Sequence, residues 1–346
     1  MRETLTLTPA DRVLIVAPHP DDESIATGGL IQAVCAVGAR LRVLVLTDGD
    51  ANIWPQRWIE KRWRIDASAR ARWGARRRAE AIAAMAILGL SEQDAVFLGL
   101  PDLGLTDLLM RSDVDTANHL RRVIGEFIPS HVVLPSLADR HPDHSAAHVL
   151  MRMALRASGS AFPRLWSFAV HGGTPEGATA VCALSTPQRE RKRSAILAHA
   201  TQMRLGRRRF LRHAEADETF HQCAPRPAAL PQHPVHAVAD MAGRLRVEID
   251  LPRWRSRLRG HDLFIAMDGA APARLRIPAG VDEPIVQDTT TGIAAGIVRV
   301  EPGRDRVAFV LDTCCLGWDE GFVKLARPQP GLWLFDQFGW QAVMRA

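Results

Sequence analysis

Residues 12–24 read RVLIVAPHPDDES: six residues with the pattern of a buried strand, then one imidazole and three carboxylates within five positions. A near-continuous apolar run suits a strand covered on both faces. Carboxylates so close together repel one another, and burying them without partners is costly. A bound cation is the first candidate for the compensating charge. Working outward, SIATGGLIQAVCAVG (24–38) predicts a helix that stops at Gly38, and LRVLVLT (41–47) a second buried strand. RRRAEAIAAMAILG (76–89) predicts a helix, AVFLGL (95–100) a strand, 113–127 a helix and HVVLP (131–135) a strand. A helix over 144–157, a strand at 165–170 and a helix over 187–198 complete the series. Short apolar strands alternating with helices predict an α/β fold, a Rossmann-like, mostly parallel sheet with helices on both faces. In such folds the site lies beyond the carboxyl ends of the strands. APHPDDE, TDGD (47–50), LPDLG (100–104) and LADRHPDH (137–144) all follow predicted strands, so four polar clusters converge on one rim.

The pattern changes near residue 225. PRPAALPQHP (225–234) has four prolines in ten residues and reads as a linker. Beyond it LRVEIDL (245–251) alternates strictly, and LFIAM, GIVRVE and RVAFVLD follow between turn residues. Two domains are expected, residues 1–225 and a small antiparallel β domain over 226–346. Every candidate metal ligand falls in the first.

The chain of 346 residues is 47% hydrophobic and 24% charged, ordinary globular values. Its N-terminal residues lack the apolar stretch of a signal peptide, and no run reaches the length of a membrane span. The five cysteines form no CxxC pair and no disulfide framework, which predicts a reducing, cytoplasmic setting and argues against a thiolate metal site. The net charge of +6 is concentrated: residues 57–78 hold nine Lys or Arg against two carboxylates, leaving the remainder near neutrality. A basic excess confined to one patch argues against a dedicated nucleic-acid binder.

HPDH (141–144) is the second motif that carries chemistry. With the first it offers His19, Asp21, Asp22, His141, Asp143 and His144 to a metal. Imidazole and carboxylate without thiolate suit a catalytic zinc held by three protein ligands. Taken alone, Asp21 and Asp22 could equally cap the following helix. His148, one turn after His144, is read as a core or supporting histidine rather than a fourth ligand.

PHPDDE followed by HPDH resembles the PIG-L/LmbE family of zinc-dependent N-deacetylases. LTDG (46–49), RRAEAIAAMAILG (77–89), LGLPD (98–102), KRSAILAHATQ (192–202) and DETF (217–220) extend the likeness over roughly residues 10–222. The resemblance implies that His19, Asp22 and His144 bind Zn2+ (or another divalent ion) and that Asp21 is the general base. It implies that His141, as imidazolium, stabilises the oxyanion and can protonate the leaving amine. Asp143 would orient a histidine, while Arg77 and Asp102 would contact the sugar. His199 and Gln202 match the family motif but could equally satisfy buried backbone groups. The implied activity is removal of the N-acetyl group from an amino sugar in a glycoconjugate, a lipid- or nucleotide-linked sugar or a related metabolite. An amidase for a bulkier N-acyl group and a non-catalytic carbohydrate-binding protein are the alternatives. The chain departs from the family pattern in having no tyrosine, in a longer segment over 50–75 and in the β domain.

WPQRWIEKRWRIDASARARWGARRR (54–78) sets Trp54, Trp58, Trp63 and Trp73 among basic residues. Either the tryptophans pack on the body of the protein, or they overhang the site and meet an anionic or amphipathic sugar conjugate. In the second case a glycolipid or a membrane surface is among the partners the segment suits.

Overall fold

The computed structural model describes residues 3–159, 161–172, 179–230, 233–240, 244–252, 258, 260–269, 271–277, 285–289, 294–312, 319–326, 336 and 338–345. The adjacent Cys314 and Cys315, a spacing that suits packing as small hydrophobes, lie outside them.

The strand read from RVLIVA is β2 (Arg12–Ala17). Its side chains alternate between two cores. Leu14 and Val16 face α4 (Leu105–Met110), α5 (Val114–Phe127) and α6 (Pro142–Ala157). Val13, Ile15 and Ala17 face α1 (Asp22–Val37), α3 (Ala67–Leu88) and α7 (Thr186–Ala198). Burial on both faces is why the run is apolar at every position rather than every second one. With β1 (Glu3–Thr4), β3 (Arg40–Thr47), β4 (Ala95–Leu100), β5 (His131–Pro135), β6 (Arg164–Phe168), β7 (Thr179–Cys182) and β8 (Glu218–Cys223), the sheet has the order β1-β7-β8-β6-β5-β2-β3-β4. All pairings are parallel except those of β8, which runs antiparallel to β6 and β7.

One adjacency positions the site. β2 pairs directly with β5, Val13 opposite His131 and Ile15 opposite Val133, although more than a hundred residues separate them. Here the strand order reverses, and the loops that leave the two strands open a crevice. HPDD follows β2 and HPDH follows β5, so the topology brings the two motifs together.

Beyond residue 225, β9 (Val235–Ala239), β10 (Arg244–Asp250), β11 (Asp262–Met267), β12 (Ala273–Arg276), β13 (Ile285–Asp288), β14 (Ala294–Pro302), β15 (Arg306–Asp312), β16 (Gly321–Ala326) and β17 (Trp340–Arg345) form a closed barrel among the described residues. Its pairings are antiparallel apart from β17 with β9. Leu245, Val247 and Ile249 point into it, as the alternation requires. Closure removes the exposed edges that an open sheet of this size would present. Phe322, Trp340 and Ala342 point outward instead and join the cluster formed by α6 and the sheet. Arg152 of α6, fully buried, donates to both carboxylate oxygens of Glu320 at 2.8 and 2.6 Å.

Candidate metal and catalytic site

Asp21 precedes α1 with φ 150°, a conformation that L-residues rarely adopt. Such backbone strain gathers at functional sites. Its carboxylate makes no capping bond to the helix, so the capping reading does not describe it. The Asp21 Oδ1 lies 3.4 Å from the Arg77 guanidinium. Burial pushes its carboxyl up to about 6, with Arg77 pulling down and Asp22 pushing further up.

Asp22 is the meeting point of the two motifs. Its Oδ2 stands 3.3 Å from His19 Nδ1 and 3.2 Å from His144 Nε2. The same oxygen accepts the His19 backbone N–H at 3.0 Å. His144 Nε2 is buried and makes no hydrogen bond of acceptable geometry, a costly state for a polar atom unless something else occupies its lone pair. Donors about 2.0–2.1 Å from one tetrahedral ion stand roughly 3.3–3.4 Å apart, and the two contacts of Asp22 have that spacing, although His19, Asp22 and His144 do not together form one of the donor sets that lie mutually within 4.8 Å. The ring nitrogens turned away from this point also have partners. His144 Nδ1 lies 3.2 Å from Asp139 Oδ2, and His19 Nε2 lies 3.2 Å from Asp102 Oδ1 and 3.3 Å from Asp143 Oδ2. A carboxylate on the far nitrogen fixes the tautomer and aims the near one at a metal. The residues therefore fit a divalent ion. Among the described residues, three overlapping donor sets have ligand atoms mutually within 4.8 Å: His19–His141–His144, Asp22–His144–His171 and His19–Asp102–Asp143.

His141 caps α6. Its Nδ1 accepts the Asp143 backbone N–H at 3.3 Å, so the neutral ring carries its proton on Nε2. Burial, then the neighbouring rings of His19, His144 and His171, hold its pKa well below the usual histidine value. Asp143, besides meeting His19, clamps the loop after β4, because its carboxylate accepts the backbone N–H groups of Leu103 (2.7 Å) and Leu105 (3.2 Å).

The two residues expected to meet the sugar are engaged within the protein. Arg77 is buried and donates to the carbonyls of Gly49 (2.6 Å) and Pro20 (3.0 Å). Asp102 accepts the Ala51 N–H at 2.7 Å. Burial would raise Asp102, but its bond to His19 and the charges of His19 and Arg77 hold it down at about 2. Both residues still border a small cavity of about 120 Å3, together with His19, Asp21, Asp22, His141, Gln202 and His171. His199, deeper, contacts Ser24 Oγ at 3.0 Å and Glu23 at 3.1 Å. His148 sits in the core, 2.8 Å from the Pro135 carbonyl. A larger cavity of about 640 Å3 lies between α5, α6 and the barrel, away from these donors.

Two residues of the site were not singled out from sequence. Asp139 is fully buried and, besides His144, accepts the backbone N–H groups of His141, Val170 and His171 at 2.8–3.2 Å. His171 follows β6 and packs with its ring 5.2 Å from that of His141 and 4.8 Å from that of His144.

The family model described as PIG-L, GlcNAc-PI de-N-acetylase, matches residues 14–155. A 1D-myo-inositol 2-acetamido-2-deoxy-alpha-D-glucopyranoside deacetylase of Thermobispora bispora is 32% identical over 230 residues, covering 61% of this chain and 70% of that protein. The protein of the same name from Rhodococcus erythropolis is 32% identical over 167 residues, 44% of this chain and 55% of its own length. The chain spans about half to two thirds (51–63%) of the length of the first four such relatives. A solved structure of a deacetylase triple mutant of the teicoplanin biosynthetic pathway aligns with 61% of this chain and 97% of its own, at 22% identity and a TM-score of 0.49, too distant to bear on function. The chain belongs to the PIG-L (GlcNAc-PI de-N-acetylase) family.

Proposed function

We propose that the protein is a zinc-dependent N-deacetylase acting on an N-acetylated amino sugar within a larger conjugate. The approach of His19 and His144 to one carboxylate oxygen of Asp22, with Asp21 and His141 lining the same cavity, is the observation that carries this reading. His19, Asp22 and His144 would hold the ion, which when bound supplies Lewis-acid polarisation and acidifies water. Asp21 takes the proton of the attacking water as its oxygen bonds to the amide carbon. His141 donates its Nε2–H to the oxygen on which negative charge develops. Asp21 then returns the proton to the nitrogen as the C–N bond breaks, leaving acetate and the amine. Asp102, Asp143 and Asp139 keep the imidazoles aligned, and Arg77 sets the orientation of Asp21.

Arg209 and Phe210 form part of the cavity wall, which supports a conjugate with an anionic or amphipathic portion. Nucleic acid is not proposed as a partner, because the basic residues flank one site rather than cover the fold. Among the described residues no helix is long and apolar enough to cross a membrane, and Cys35, Cys182 and Cys223 are free thiols, which supports a reducing, cytoplasmic setting.

The test is mass spectrometry of the zinc-loaded protein with free, nucleotide-linked and lipid-linked N-acetyl sugars and their longer N-acyl counterparts. Loss of one acetyl group from a conjugate, abolished by chelation, is expected. Cleavage of long acyl chains alone would identify an amidase. Binding without turnover on every member would identify a carbohydrate-binding protein.

A further inference from the structure

The segment between β3 and α3 treats its tryptophans in two ways. Trp73, on α3, is buried. Trp54 and Trp58, on α2 (Ile53–Glu60), and Trp63, just after it, are 51%, 64% and 80% exposed. Helix α2 stops at Lys61, which takes the left-handed conformation (φ 53°), so Trp63 projects from a turn rather than from a continued helical face. Two of the indoles nevertheless flank one cation, the Arg57 guanidinium lying 5.1 Å from the Trp54 ring and 5.8 Å from the Trp63 ring, and Trp58 follows Trp54 by four residues on α2, the spacing of one helix face. Among the other exposed large apolar residues described, Val238 and Met344 pair across β9 and β17, while Val37, Ile87, Leu103, Val114 and Ile128 are far apart in sequence, and no other group includes tryptophan.

Cations surround this group. Lys61, Arg62 and Arg64 are exposed, and among the described residues none of them pairs with a carboxylate. Helix α2 packs against α8 (Ala200–Glu215), which exposes Arg204, Arg207, Arg208 and Arg212. Indole has an apolar body and one N–H, and it collects where hydrocarbon meets headgroups. Arginine and lysine beside it are drawn to anionic lipid.

We propose that this face docks on an anionic lipid bilayer, with Trp54, Trp58 and Trp63 seated at headgroup depth and the surrounding arginines on lipid phosphates. Charge separates this occupant from a second copy of the chain: a two-fold contact would set one basic face against another. Position gives the docking a use. Asn52, immediately before α2, and Arg209 and Phe210 of α8 border the metal-site cavity, so a docked protein would open that cavity near the lipid surface. Docking does not depend on the catalytic reading, and the Asp21→Asn protein should dock as well as the wild type.

The experiment is co-sedimentation of the full chain with vesicles of phosphatidylcholine alone or mixed equally with phosphatidylglycerol, followed by tryptophan quenching with brominated lipid. Binding to the mixed vesicles only, weakening as salt rises, with quenching of indole emission, is expected. The W54S/W58S/W63S variant should bind at least about tenfold more weakly. A K61Q/R62Q/R64Q variant should lose binding while keeping all its tryptophans, and both variants should retain the wild-type circular dichroism. Equal binding to neutral vesicles, no binding to either, or unchanged binding by the tryptophan variant would overturn the proposal. So would tighter binding to single-stranded DNA than to vesicles, or a concentration-dependent dimer that the tryptophan variant abolishes.

Discussion

His144 is held between two carboxylates, its Nδ1 3.2 Å from Asp139 Oδ2 and its Nε2 3.2 Å from Asp22 Oδ2. Without a metal, burial lowers its pKa and the two carboxylates more than offset this, raising it to about 10, so a proton competes with the ion for Nε2. The two carboxylates are assigned different roles: Asp22 shares the ion with His144, and Asp139 aims the ring.

Asp139→Asn should therefore weaken zinc binding about 10–100-fold without removing a ligand. His144→Ala should abolish stoichiometric binding. Competition against a chromophoric chelator distinguishes them. Equal affinity in wild type and Asp139→Asn would reduce Asp139 to a clamp on the loop backbone.

His141→Ala should keep the metal and lose rate on the order of 10²–10³-fold, the scale of one oxyanion donor. Metal analysis beside turnover checks this. Loss of zinc from that variant would make His141 a ligand and would favour the donor set that joins it to His19 and His144.

The barrel has a core of its own but also contributes to the cluster under α6, so the division at residue 225 is proposed as a division of shape rather than of stability. Phe322, Trp340 and Ala342 lie in the same cluster as Leu150 and Leu134. Glu320→Ala would leave the fully buried Arg152 guanidinium without its counter-charge, a loss of about 3–5 kcal/mol. Urea unfolding followed by circular dichroism should show one transition, shifted to lower denaturant in the variant. Two separated transitions, only the second altered, would mean that the barrel stands alone.

Much of this was legible in the sequence because it is local. The motif ligands sit directly after apolar strands, and uninterrupted hydrophobicity in RVLIVA already implies cover on both faces. Asp139 was not legible: in LADRHPDH it reads as a polar loop residue, and only the fold shows it reaching His144, Val170 and His171. His171 enters through the pairing of β5 with β6, which has no local signature. For Arg77, expected at the sugar, nothing in the sequence signals that the Gly49 and Pro20 carbonyls take its terminal nitrogens while it still lines the cavity. Helix α8 escaped notice because six of its sixteen residues are Arg or His, leaving little apolar periodicity to read. The exposure of Trp54, Trp58 and Trp63 runs against the default that large aromatics are packed, and no neighbouring residue announces it.

The central claim is that adjacent aspartates have separate offices, Asp22 on the ion and Asp21 on the proton of the attacking water. Paired measurement of zinc content and acetate release for Asp21→Asn, on the conjugate that the wild type converts, tests it most directly. The predicted result is a full complement of zinc with turnover lowered on the order of 10²-fold or more. A metal-free variant, or one that releases acetate at the wild-type rate, would contradict it.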